Sequence, residues 1–199
     1  KYTGKKNQIV VAGEEIDPKT MSSILVEKDT PGLMFASATW HFSTEKPPAE
    51  ERGDLLWVSR SFFRRETSGR EATLTPLAEG AALRPGDEIE VHLSLRARHP
   101  AEYVHLRDQR AAGLEPVSST SRFKWDLGLG YYEEIRDSST NFFFEQLPQG
   151  EYTFKYRLRA ATAGTFKVGP ATVQSMYAPE FVAYSTGATI GIEPETVAR

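Results

Sequence analysis

The sequence predicts an all-β protein built as an antiparallel β-sandwich. Two observations carry that prediction. Apolar and polar residues alternate with period two along most of the chain, whereas helical spacing is hard to find. Clusters of Pro, Gly and Asp then cut the chain into short, evenly spaced segments, as in sandwiches rather than in parallel sheets wound with helices.

Taken in order, the first segments stand apart. Residues 9–11, 24–27 and 33–42 are strand-like, with Met34, Ala36, Ala38, Trp40 and Phe42 alternating in the last. Three strands are few for independent stability. The stretch STEKPPAEERGD follows, polar, charged and Pro-containing, which is linker composition. The predicted boundary lies at about residues 47–52, giving a piece 1–48 and a sandwich 49–199.

The sandwich strands begin at 55–65. In LRPGDEIEVHLSLRA, a Pro-Gly-Asp turn feeds a strand with Ile89, Val91, Leu93 and Leu95 on one face and Glu88, Glu90, His92, Ser94 and Arg96 on the other. The same device recurs where LPQG precedes EYTFKYRLRA. There Tyr152, Phe154, Tyr156 and Leu158 face in; Thr153, Lys155, Arg157 and Arg159 face out. Further strands are predicted at 103–108, 131–136, 141–146, 165–168, 171–176 and 188–193. Zero cysteines exclude disulfides, Cys-ligated zinc, thiol nucleophiles and an internal thioester. Net charge is −3 without a basic stripe, so no nucleic-acid surface is expected. No apolar run approaches the ~20 residues of a membrane span. The chain starts at Lys1 and its first methionine is Met21, so it reads as part of something longer.

Catalytic constellations are missing. His41, His92, His99 and His105 do not stand at metal-ligand spacing, and His92 and His105 fall in strands, facing solvent or an edge. GLGYYEEIRD lacks the sequence of a phosphate or dinucleotide loop and reads as a turn into an aromatic strand. Its adjacent acids, Glu133 and Glu134, point to opposite faces and cannot share acid–base work. No GxSxG stands in the chain, so a hydrolase is disfavoured. Aromatics are many: Phe62-Phe63, Tyr131-Tyr132 and Phe142-Phe143-Phe144. Alternation buries every second one and leaves the others for an edge or a partner surface. In VQSMYAPEF, Met176-Tyr177 reads from composition alone as a strand end, with Met as adaptable core filler and Pro179 in an extended turn.

From about residue 55 to 192 the sequence resembles the C-terminal domain of bacterial α2-macroglobulin-family proteins, most of all their Bacteroidetes-type branch. The stretches that carry the resemblance are LRPGD with its alternating strand, YVHLRD followed by RAAGLEPV, and GLGYY with NFFF. LPQGEY with YRLRA, then GTF and MYAPEF, complete the set. The resemblance implies a fibronectin-like macroglobulin sandwich at the end of a very long, non-enzymatic envelope protein, usually a periplasmic lipoprotein. Such proteins trap foreign proteases after cleavage of a bait region elsewhere. It also implies that residues 1–48 are the returning strands of a preceding split domain. The partners it implies are the other domains of the parent and the trapped proteases; it implies no cofactor. In relatives bearing a Cys-Gly-Glu-Gln thioester, an apolar Met or Tyr of this domain keeps water from the ester. Met176 and Tyr177 fall on that motif. A second reading is an adhesin-type sandwich binding carbohydrate or protein, with Trp57, Trp125 and Tyr132 as a stacking platform.

Overall fold

The structure is a computed structural model and describes residues 9–17, 19–21, 23–34, 36, 38, 48–78 and 80–194. The chain divides into two compact units, Lys1–Thr44 and Glu45–Arg199. Among its described residues the first unit holds one 3-10 turn, Gly13–Glu15, and no strand. The strands expected at 9–11 and 24–27 are not formed, and 33–42 lies largely outside the described residues. A strand needs a neighbour for its backbone hydrogen bonds and an apolar surface for one face. These segments have neither: Ile9 is 91% exposed and Leu25 82%.

The second unit carries the strands, all named here in chain order: β1 (Leu56–Ser68), β2 (Glu71–Pro76), β3 (Ala82–Leu83), β4 (Glu88–Ala97), β5 (Ala101–Gln109), β6 (Leu114–Pro116), β7 (Arg122–Asp126), β8 (Leu129–Ile135), β9 (Ser139–Leu147), β10 (Gly150–Ala160), β11 (Gly164–Val168), β12 (Thr172–Ser175), β13 (Val182–Tyr184) and β14 (Ala188–Ile192). Every sandwich strand expected from alternation is present. Five were not anticipated: β2, β3, β6, β7 and β13.

One sheet has the order β2-β1-β4-β10-β6 and the other β13-β12-β5-β9-β8-β7, all antiparallel. A small sheet β11-β14-β3 adds its apolar residues to the same core, with β3 parallel to β14. The turn chemistry is as read. In Pro85-Gly86-Asp87, the Asp87 carboxylate accepts from Arg84 N at 2.9 Å, and Gly86 takes φ +94°. The β7–β8 hairpin turns on Leu127 and Gly128, both with positive φ, the primed geometry that two-residue hairpins favour.

Alternation places the core between the two large sheets. Val58, Ile89, Val91, Leu93, Phe154 and Leu158 from one sheet meet Val104, Leu106, Phe142, Phe144 and Val173 from the other, all essentially inaccessible to water. Phe154 is the hub, with ring centroids 5.1–5.4 Å from those of Phe144, Tyr131 and Phe142. Such tilted and edge-on pairs add to plain area burial.

Candidate functional site

The β12–β13 hairpin leads into the segment 176–181, and its backbone is well fastened. Met176 N donates to Tyr103 O at 2.8 Å, Ser175 N to Phe181 O at 3.1 Å, and Phe181 N to Ala178 O at 2.9 Å. Gln174 Nε2 donates to Pro179 O at 3.0 Å. Upon this frame two large apolar side chains stand in solvent, Met176 at 55% and Tyr177 at 79% exposure. Met176 is therefore not the core filler that composition alone suggests. The Tyr177 ring meets Tyr103 edge-on at 4.9 Å. Tyr103 has φ +50°, a left-handed backbone uncommon for a bulky residue. With Phe181 and Tyr103, each more than two-fifths exposed, the segment forms an apolar knob at one end of the six-stranded sheet.

Toward the other end of β5 from Tyr103 lies a buried polar network that sequence reading did not assemble. Arg60 Nη1 of β1 donates to Asp108 Oδ1 of β5 at 2.6 Å, with both side chains 1% exposed. The Tyr156 hydroxyl of β10 donates to Asp108 Oδ2 at 2.6 Å. Arg60 also reaches Thr186 O, just beyond β13, at 3.4 Å. Burial pushes the Asp108 carboxyl up, against the opposing pull of Arg60 and Tyr156. Burial, then the Asp108 charge, raises the Tyr156 phenol well above its usual range, so it stays a donor. Arg110 continues the network, donating to Arg136 O at 2.8 Å and Asp137 O at 2.9 Å in the β8–β9 turn. The trio thus pins the two large sheets together beside the hairpin. Its signal was present in the sequence. Arg60 shares parity with Leu56 and Val58, Asp108 with Val104 and Leu106, and Tyr156 with Phe154 and Leu158, so all three face inward.

The stacking platform Trp57–Trp125–Tyr132 is not assembled. Trp57 lies on the other sheet; its ring is covered by Arg96 at 5.5 Å, and its Nε1 donates to Glu51. Trp125 and Tyr132 do share a face, where Phe123 joins them. His92 and His105 take outward positions. His92 bonds Glu90 at 2.8 Å; His105 stacks on Phe143 and bonds Asn141 at 3.0 Å. Among the described residues no group of three His, Cys, Asp or Glu could hold a metal, and no helix is long and apolar enough to cross a membrane. His41 lies outside the described residues.

Glu133 and Glu134 do part company. Glu133 is buried and pairs with Lys124; Glu134 lies outward, pairing with Arg136 and accepting from Asn141. The Arg136 hydrogen bond holds the Glu134 carboxyl below its usual range, as Arg159 does for Glu88. Both groups therefore bind protons more weakly folded than unfolded. Their contribution is present above the unfolded value of about 4.3 and is lost as pH falls through the folded ones. We expect the urea midpoint to fall on acidification below about pH 4.3, and carboxyl NMR to find both glutamates titrating low. Ordinary titration of both would contradict this.

The family model described as the bacterial alpha-2-macroglobulin MG10 domain matches residues 56–180, from the start of β1 through the exposed hairpin segment. The chain belongs to this family. Among curated proteins, this macroglobulin domain is similar to "Circularly permutated Ras protein 2" of Dictyostelium discoideum, 24% identical over 161 residues, covering 80% of this chain and 4% of that protein. It is also similar to an alpha-2-macroglobulin homolog of Nostoc, 22% identical over 194 residues, 90% of this chain and 10% of that protein. The chain thus spans a tenth or less of the length of these relatives. A Salmonella alpha-2-macroglobulin, solved after reaction with methylamine, shares the fold at TM-score 0.58 and 21% identity, over 74% of this chain and 10% of that one.

Proposed function

We propose that this macroglobulin domain works by contact rather than catalysis, within a longer extracytoplasmic protein that traps proteases. The hairpin carrying Met176 and Tyr177 is its seat on another domain of that parent. One observation supports this most: two large apolar side chains are held in solvent on a firmly bonded hairpin, where they contribute nothing to the domain's own core. Residues 1–48 fit the same reading as strands of a preceding domain, whose remainder would supply the pairing that 9–11 and 24–27 lack.

Where the parent carries a thioester, the pair shields it. A soft thioether and an aromatic ring exclude water and small nucleophiles from a hydrolysable bond, and both leave when domains move apart. The test uses the full-length parent. Met176→Ala is expected to speed inactivation by methylamine, and Met176→Ala with Tyr177→Gly to speed it further. Unchanged amine sensitivity in the double variant would count against the shield.

A further inference from the structure

The outer face of the six-stranded sheet carries a second aromatic surface, and the contact reading does not use it. Its register can be read across the strands. Phe123 of β7 pairs with Tyr132 of β8, Tyr132 with Phe143 of β9, and Phe143 with His105 of β5. Four rings therefore stand on four adjacent strands spaced about 4.8 Å apart. His105 and Phe143 stack face to face at 4.5 Å and close that end of the row, which leaves Phe123, Tyr132 and the neighbouring Trp125 as its open part. At the free edge Trp125 is 77% exposed, Phe123 66% and Tyr132 42%. Gly130 makes the edge flat. A Cβ there would stand 2.9 Å from the Phe123 ring and 3.0 Å from the Trp125 ring, so both rings lie over bare backbone.

Beside the rings runs a chain of hydrogen-bonded polar groups on the same face. His105 bonds Asn141 Oδ1 at 3.0 Å, Asn141 Nδ2 donates to Glu134 Oε2 at 3.2 Å, and Glu134 pairs with Arg136. Arg136 is the exposed end of that chain, its side chain 67% accessible. Glu134 and Arg136 match each other, and the same face adds one exposed charge of each sign, Arg107 of β5 and Glu145 of β9, so it offers donors and acceptors with little net field.

We propose that this face binds a neutral polysaccharide. Aromatic faces are electron-rich and attract the C–H face of a sugar ring. The Glu134–Arg136 rim offers one acceptor and one fan of donors to hydroxyl groups. Matching of charge decides the ligand class. A single-stranded nucleic acid also stacks on aromatic rows, but it needs a basic groove along its backbone. Here the guanidinium is neutralised by its carboxylate, and the chain carries net charge −3.

The test titrates the 199-residue chain with cellohexaose, chitohexaose and maltohexaose, read by tryptophan fluorescence and amide NMR. At least one sugar is expected to give a saturable response centred on Phe123, Trp125 and Tyr132. Trp125→Ala weakens it about tenfold or more, Trp125→Phe retains most of it, and Trp57→Phe on the other sheet leaves it unchanged. Unaltered urea midpoints show that each variant is folded. Three outcomes overturn the proposal: no saturable response to any of the sugars, equal binding by Trp125→Ala, or self-association of the chain through this face that Trp125→Ala abolishes. The last would assign the surface to protein contact.

Discussion

Replacing Asp108 by alanine lowers the unfolding free energy by about 3–5 kcal/mol. The loss comes from what is left behind. Arg60 stays 1% exposed with no carboxylate opposite, and the Tyr156 hydroxyl loses its acceptor. A buried cation without a partner is among the costliest defects a core can hold. The intact pair is nevertheless no large net stabiliser, because burial already opposes the Asp108 charge. Taking out the whole trio, as Arg60→Met, Asp108→Leu and Tyr156→Phe together, is therefore expected to cost less than Asp108→Ala alone. Urea unfolding of the single and triple variants checks both statements. A triple variant much less stable than the single one would mean that the network contributes attraction beyond its desolvation.

Phe154→Ala is the second large effect, about 3–5 kcal/mol. Phe154 is 1% exposed and stands on β10 against Tyr131 and Phe144 of the opposite sheet. Removing it leaves a void between two sheets held in register by their hydrogen-bonded ladders, which cannot collapse to fill it. Phe154→Leu keeps much of the volume and costs clearly less. For a domain with a total stability of about 5–15 kcal/mol, the alanine variant approaches the unfolding threshold at physiological temperature. A loss near 1 kcal/mol would show the aromatic hub to be loosely packed, contrary to the ring geometry.

Both effects bear on what was legible in the sequence. Ile89, Val91, Leu93 and Leu95 marked β4 because that strand has one wet face and one dry face, the condition under which alternation appears. β7 escaped because its aromatics, Phe123 and Trp125, point to water, so its pattern is inverted relative to a core strand. β6 and β13 are three residues each, too short for any period to show. Residues 9–11 and 24–27 are apolar enough to read as strands, yet composition alone supplies no neighbouring strand. The inter-sheet ion pair joins residues 48 apart in sequence, so spacing could not reveal it, though inward parity of an Arg and an Asp could. For the contact site, the sequence pointed to Met176 and Tyr177 by resemblance. Their exposure and the firmness of the hairpin needed coordinates, because an apolar pair after a strand reads equally well as core.

The central claim is that Met176 and Tyr177 are dressed for a neighbour. Peroxide oxidation of Met176, followed by peptide mass spectrometry, measures that directly. In the 199-residue chain the thioether is open to solvent and oxidises readily. In the native longer macroglobulin proposed to carry this domain, oxidation is expected to be many-fold slower. Equal rates in the two proteins would contradict a covered hairpin, and with it the reading of this domain as a contact device.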